Sequence, residues 1–254
     1  MPIDVNIDDL KPLKNFGDGP PGSGSLLALK ILLQALDNIV IVNSTGTATP
    51  FINGVPSIHA GLNAISVATG VSRGMDKKAN AKVVVFSGDG ATAIHLASLL
   101  AAKDDLIYIC VNNFGYNLID YRLGRSFARE VSHTAAYTAT ACIAHLEDYI
   151  AKLKKAQSMG GLRFIEVLCP SPESWGFDPS NLMEVGRVAV ETGLWPLYEV
   201  ENGVVNLTKR PNRLEPVEGF NHVQKKLAIP ANKIQSVQDT VSKNWKALTD
   251  GMVK

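Results

Sequence analysis

The chain has no excess of charge of either sign: 25 Lys and Arg stand against 24 Asp and Glu, a formal net charge of +1 over 254 residues. No Lys/Arg run is long enough to track phosphates, which removes the electrostatic case for a nucleic acid or a membrane surface as partner. Long apolar runs are missing too, and no stretch approaches the about 20 residues that span a bilayer. The N-terminal stretch MPIDVNIDDLKPLKNFGDGPPGSGS carries acids and prolines where a signal peptide needs an apolar run, so a cytoplasmic chain is expected. Cysteine is scarce. Cys110, Cys142 and Cys169 are odd in number, far apart and in no CxxC arrangement, which excludes a disulfide scaffold and predicts reduced, mostly core thiols. What is present is a hydrophobic share of 46% against 19% charged, enough to exclude disorder, in a length that suits one main domain.

Along the chain, Pro2, Pro12, Pro20 and Pro21 with Gly17, Gly19, Gly22 and Gly24 predict an extended arm over 1–24 that ends in a Gly-rich loop. Ser25 is a candidate cap for a helix from Leu26 to Leu33, and Asn38–Val42 then reads as a buried strand. The alternation repeats: helix near 60–71, strand 82–87, helix 91–102, strand 106–111, helix 146–159, strand 163–168. Val/Ile-rich strands with little polar alternation are what a parallel sheet covered on both faces requires. The fold class is therefore α/β, a doubly wound, mostly parallel sheet occupying 25–200. Beyond it come a helix over 182–192, a hairpin about Asn202-Gly203 and a closing amphipathic helix over 234–248. Residues 201–254 are expected to pack on the domain or on a partner.

The chemistry concentrates in Val83-Val84-Val85-Phe86-Ser87-Gly88-Asp89-Gly90-Ala91-Thr92-Ala93 and in Asn112-Asn113-Phe114-Gly115-Tyr116. Each motif sits at the carboxyl end of an expected strand, the edge at which open α/β sheets bind ligands, so Asp89 and Asn113 are expected to face one crevice. A carboxylate oxygen, an amide oxygen and a turn carbonyl, completed by diphosphate oxygens and water, suit octahedral Mg²⁺. Gly88 and Gly90 let the backbone come close, and a helix opening at Ala91 favours an anion. Taken singly, each motif is equally a plain turn; it is the pair, each at a strand end, that points to a site.

GDG followed at this distance by NN resembles the diphosphate-binding signature of thiamine-diphosphate enzymes. The resemblance implies Asp89, the Asn113 side chain and the Gly115 carbonyl as magnesium ligands. The segments PSIHAGLNAISVATGV, GDGATAIHLASLLAA, YICVNNFGYN, CPSPESWGFDP, VETGLWPLYEVENG and PVEGF extend it over most of the chain. They are similar to the thiamine-binding β subunit of pyruvate:ferredoxin oxidoreductase and its 2-oxoacid relatives. That family implies oxidative decarboxylation of a 2-oxoacid, transfer of the acyl group to coenzyme A, and a diphosphate-domain fold. It also implies an α subunit that supplies the pyrimidine-binding half-site, with further electron-transfer subunits. The cofactor-binding residues implied are Thr45, Gly46, His59, Gly88, Asp89, Gly90, Ala91, Asn113, Gly115, Tyr116 and Asn117. His59, in PSIHAG, matches a position near the cofactor and is the catalytic candidate, to hold diphosphate or a substrate carboxylate; His95 is a weaker one. For either, a satisfied structural imidazole is the alternative. Tyr116 and Asn117 line the site or close the turn.

Relatives of this kind hold an iron-sulfur cluster with four cysteines. Here Pro20-Pro21-Gly22-Ser23-Gly24 stands for the CxGCG loop, Thr45-Gly46-Thr47 for a TGC sequence, and Cys169 alone keeps a thiol. One thiolate does not hold a cluster that takes four, so no cluster is expected on this chain. Lost ligands leave a second reading open, a non-oxidative decarboxylase or carboligase, and a third, a paralogue without cofactor, against which Asp89 and Asn113 stand. The segment after Asn117 is shorter than in the family. In it Arg122, Arg125 and Arg129 share one face if helical, to meet an anionic substrate, a partner or only solvent.

Overall fold

The computed structural model describes residues 20–46, 49, 52, 56–76, 80–114 and 126–251. Helix α1 (Gly24–Ala35) is capped by Ser23, whose Oγ accepts from the amide of Leu26 at 3.3 Å. The cap expected at Ser25 is thus two residues earlier, and Ser25 lies within the first turn instead. Strand β1 (Ile39–Asn43) follows, then β2 (Ser57–His59), α2 (Ala64–Gly74) and β3 (Lys82–Gly88). After β3 the chain forms α3 (Asp89–Ile94) and α4 (Leu96–Ala101), then β4 (Leu106–Asn112). The single helix expected over 91–102 is therefore two. The break falls at His95, with φ −106° and ψ 20°, and redirects the chain so that Leu99 enters the core.

Past 125 come α5 (Phe127–Val131), β5 (Tyr137–Cys142), α6 (Leu146–Ser158) and β6 (Leu162–Leu168). Then follow α7 (Pro172–Trp175), α8 (Leu182–Glu191), β7 (Tyr198–Glu201), β8 (Val204–Leu207), α9 (Phe220–Val223) and α10 (Ile234–Thr249). Among the described residues the strands form one sheet in the order β2-β1-β3-β4-β6-β5-β7-β8. The strands from β2 to β5 in that order run parallel; β7 joins β5 antiparallel, and β8 returns against β7. The hairpin about Asn202 (φ 52°) and Gly203 (φ 77°) thus continues the same sheet.

Successive residues of the central strands feed opposite faces, which is why the strands read as unbroken apolar runs. Ile41, Val84, Ile109 and Ile165 pack under α1 and α6 against Leu29, Leu32, Ile150 and Leu153. Val83, Val85, Tyr108 and Phe164 face the other layer, against Ile65, Ala68, Leu99 and Val131. Trp245 and Leu248 of α10 pack on this second layer, so the C-terminal helix is part of it. No helix among the described residues is long and apolar enough to cross a membrane.

Candidate active site

All parallel strands end at one edge, and at that edge β1 leads outward to β2 while β3 lies on its other side. This reversal of strand order is the switch point at which doubly wound sheets form a crevice. A cavity of about 360 Å³ opens there, lined by Ser25, Ser44, Thr45, Gly46, Thr49, Leu62, Phe86, Gly88, Asp89, Gly90, Ala91, Ile94, Val111 and Asn113. Seven residues singled out in the sequence therefore meet at one place: Thr45, Gly46, Gly88, Asp89, Gly90, Ala91 and Asn113. The sequence did not single out the cavity roles of Ser44, Thr49, Leu62, Phe86, Ile94, Val111 or Ser25; only the position of Ser44 just past an apolar run hinted at one.

The turn after β3 is built by short polar side chains. Thr92 donates its hydroxyl to the Gly88 carbonyl at 2.9 Å and lies 3.0 Å from the Tyr108 hydroxyl. Burial pushes that phenol far above its usual range, so it stays a neutral hydrogen-bonding group. Gly88 donates its amide to Ser44 Oγ at 3.4 Å, which ties the β3 turn to the β1 turn. The β1 turn is itself braced by Thr49, whose hydroxyl donates to the Ser44 carbonyl at 2.9 Å and accepts from the Gly46 amide at 3.0 Å. A Cβ added at Gly46 or Gly88 would meet no atom within 4 Å, so both glycines border open space.

Asp89 opens α3, two residues before the helix start expected at Ala91, and is buried at 6% exposure. Its Oδ1 accepts from the Gly90 amide at 3.0 Å. Among the described lining residues it is the one ionisable side chain, in a wall otherwise of hydroxyls, an amide and apolar groups. A hard dication matches that donor chemistry: an anionic oxygen and the Asn113 amide oxygen are its preferred ligands. An anion beside a lone carboxylate is repelled, so a diphosphate held here would need a cation between the two.

Asn113 leaves β4 in a tight turn. Phe114 takes φ 55° and donates its amide to Asn112 Oδ1 at 3.0 Å, while the Asn113 carbonyl accepts from Trp175 Nε1 at 2.7 Å. Gly115, Tyr116, Asn117, Arg122 and Arg125 lie outside the described residues; Arg129 is on α5. His59 ends the exposed edge strand β2 and is not a lining residue. Its ring is held between Asn43 Nδ2, 3.2 Å from Nδ1, and Thr45 Oγ1, 3.4 Å from Nε2, so it touches the cavity wall through Thr45. His95 sits at the α3–α4 break and is not among the lining residues, although its neighbour Ile94 is.

Residues 49–167 match the family model described as the thiamine pyrophosphate enzyme, C-terminal TPP binding domain. The pyruvate synthase subunit PorB of Methanothermobacter marburgensis is 35% identical over 249 residues, covering 82% of this chain and 86% of that protein. The subunit of that name from Methanocaldococcus jannaschii is 31% identical over 283 residues, covering 91% and 94%. The ketoisovalerate oxidoreductase subunit VorB of Pyrococcus horikoshii is 27% identical over 277 residues, covering 89% of each. In fold, the chain is similar to a 2-oxoglutarate:ferredoxin oxidoreductase from Magnetococcus marinus, with a TM-score of 0.50 at 16% identity over 73% of this chain and 81% of that one. Matched nearly end to end by such subunits, and with its GDG turn inside the cofactor-domain match, the chain belongs to the family of thiamine-diphosphate-binding β subunits of 2-oxoacid oxidoreductases.

Proposed function

We propose that this chain holds Mg²⁺ and thiamine diphosphate at the cavity and, with its partners, oxidatively decarboxylates a 2-oxoacid to an acyl-coenzyme A. One observation carries the reading: Asp89 and Asn113, at the carboxyl ends of the adjacent strands β3 and β4, line the same cavity. In this reading the Asp89 carboxylate, the Asn113 amide oxygen and the Gly115 carbonyl are the ligands of the ion. Gly46, Gly88, Gly90 and Ala91 leave room for the diphosphate beside it. Bound thiamine diphosphate supplies the electron sink for decarboxylation. This chain's residues fix position and charge around it, and His59, reaching the wall through Thr45, meets the substrate carboxylate or the diphosphate at the rim. Tyr116 and Asn117, outside the described residues, are the further candidates of this reading for contact with the cofactor. An α subunit supplies the pyrimidine-binding half.

Electrons leave through other subunits, because the residues present do not suit a cluster on this chain. Ser23 is engaged as the α1 cap, and Gly24 packs so close to Pro170 and Cys169 that an added Cβ would lie 2.7 Å from the Pro170 carbonyl oxygen. Cys169 is fully buried, and burial raises its thiol pKa well above the usual value, so it stays protonated.

Native mass spectrometry of the anaerobically isolated complex, with coenzyme A-dependent dye reduction, tests the reading. The expected result is bound thiamine diphosphate, an α-type partner, cluster mass on other subunits and none on this one. Release of an aldehyde or acyloin without coenzyme A would make the assembly a decarboxylase or carboligase instead. Stoichiometric iron and acid-labile sulfide on the separated chain would overturn the absence of a cluster.

A further inference from the structure

Glu166 is a fully buried carboxylate in the middle of β6, flanked along the strand by the apolar Ile165 and Val167. Burying such a group is costly unless its lone pairs are filled, and here they are filled from two stretches of chain. Oε1 accepts from Asn112 Nδ2 at 2.8 Å. Oε2 accepts from Ser126 Oγ at 2.6 Å and from the Ala128 amide at 3.0 Å. Asn112 is the last residue of β4, and its remaining amide atom is used as well: Oδ1 takes the Phe114 amide. The bonds therefore run in series from Glu166 through the Asn112 side chain to the backbone of Phe114, and they bracket Asn113. On the other side of the turn, the Trp175 ring stacks on Phe114 with centroids 5.4 Å apart.

We propose that Glu166 is a positioning residue for the metal site: by holding Asn112 it fixes the Asn112–Phe114 turn and thereby presents the Asn113 side chain to the cavity. The inference rests on the reading of Asn113 as a magnesium ligand. Packing alone does not account for a carboxylate here, since an apolar side chain of similar volume fills an interior position at no desolvation cost. Nor does a neutral amide replace it. Asn112 Nδ2, Ser126 Oγ and the Ala128 amide donate to it, whereas a glutamine turns its NH₂ either to the Asn112 amide nitrogen or to the Ala128 N–H, each a donor that cannot accept from it. A ligand held by such an outer hydrogen-bonding group keeps its orientation when the ion leaves, which is how partners behind metal ligands raise affinity.

The test uses the complex with its partner subunits, freed of cofactor by chelation and gel filtration. Mg²⁺ is titrated at fixed thiamine diphosphate, with binding read by calorimetry and by tryptophan fluorescence, Trp175 lying on the turn itself. Glu166→Gln is expected to raise the Mg²⁺ half-saturation about 10- to 100-fold. Ser126→Ala, which removes one donor to the same carboxylate, moves it less and in the same direction. Both variants recover wild-type kcat at saturating Mg²⁺, a split that a merely structural role does not produce. Half-saturation indistinguishable from wild type in both overturns the proposal, even if the thermal midpoint falls, and Ser126→Ala decides alone should Glu166→Gln fail to assemble. Asp89→Ala is run alongside. If it binds Mg²⁺ like wild type, the reading of the site fails; if it alone loses binding, the site stands and the role of Glu166 falls.

Discussion

The Trp175 indole donates its N–H to the carbonyl of Asn113 at 2.7 Å, from a side chain with no exposed surface. A residue 62 positions on thus holds the backbone of the candidate metal ligand. Phe177 and Phe220 meet the same indole edge-on, so the aromatic cluster beside α8 acts as a fixed block against which the β4 turn rests. Trp175→Phe keeps an aromatic ring against Phe114 but takes the indole donor away from the half-buried Asn113 carbonyl. The expected cost is about 1–3 kcal/mol of stability, read as a lower urea midpoint, together with weaker binding of Mg²⁺ and thiamine diphosphate. A variant with both unchanged would show that the turn does not depend on Trp175.

Asp89→Asn separates charge from shape. Its side-chain oxygen still accepts from the Gly90 amide, as Asp89 Oδ1 does at 3.0 Å, so the α3 start survives and the thermal midpoint moves little. The anionic oxygen is gone, and Mg²⁺ affinity falls by more than the about 10- to 100-fold typical of losing a group behind the ligands. Calorimetric titration of the assembled complex with Mg²⁺ and thiamine diphosphate checks it; unchanged affinity would remove Asp89 from the metal site.

Two glycines predict opposite outcomes. At Gly24 an added Cβ would lie 2.7 Å from the Pro170 carbonyl oxygen and 2.8 Å from the Cys169 carbonyl carbon, both backbone, so Gly24→Ala forces the start of α1 off the chain that leaves β6 and costs about 1–3 kcal/mol. At Gly88 the same methyl meets open space, with φ −75° already suited to alanine. Gly88→Ala therefore keeps stability and loses cofactor affinity, because the methyl occupies room that the diphosphate uses. Parallel denaturation and binding curves for the two variants read out the contrast.

The strands that build the site were legible because they are buried on both faces: β1, β3 and β4 are dominated by apolar residues that fit no amphipathic period, and β6 keeps that character around Arg163 and Glu166. Strand β5, Tyr137-Thr138-Ala139-Thr140-Ala141-Cys142, is equally buried but was not read as a strand, since threonine and alanine carry no strong apolar signal. Thr140 Oγ1 is met by a tertiary contact, donating to the Pro196 carbonyl at 2.7 Å, while the buried Thr138 Oγ1 has no hydrogen-bond partner among the described residues. Strand β2 has three exposed residues and exists through its pairing with β1, which no local pattern announces. For the site, the GDG and NN motifs located Asp89 and Asn113, because strand ends in a parallel sheet share an edge. The supports behind them, Thr92, Tyr108, Glu166 and Trp175, were not legible as such. They lie apart in sequence, and it is the pairing of β3, β4 and β6 that brings the two supported turns, after β3 and after β4, side by side.

Stability should fall in acid through Glu199 on β7. Burial alone would raise its carboxyl pKa, but Lys155, 3.0 Å from Oε1, and the Tyr137 hydroxyl, donating to Oε2 at 2.9 Å, outweigh it and hold the group below the ordinary value of 4.5. The unfolded chain therefore takes up the proton first as pH falls, and in that window stability decreases with decreasing pH. The contribution is complete above the ordinary glutamate value and is lost as pH drops through the lower folded one. Asp105, held down in the same sense by Arg163 and Lys82 against its own burial, adds to the loss in the same direction. Glu199→Gln removes one of these groups: the variant starts less stable at pH 6, and its thermal midpoint declines less steeply toward pH 3.5 than that of wild type. Parallel slopes for the two proteins would show that Glu199 does not titrate with folding.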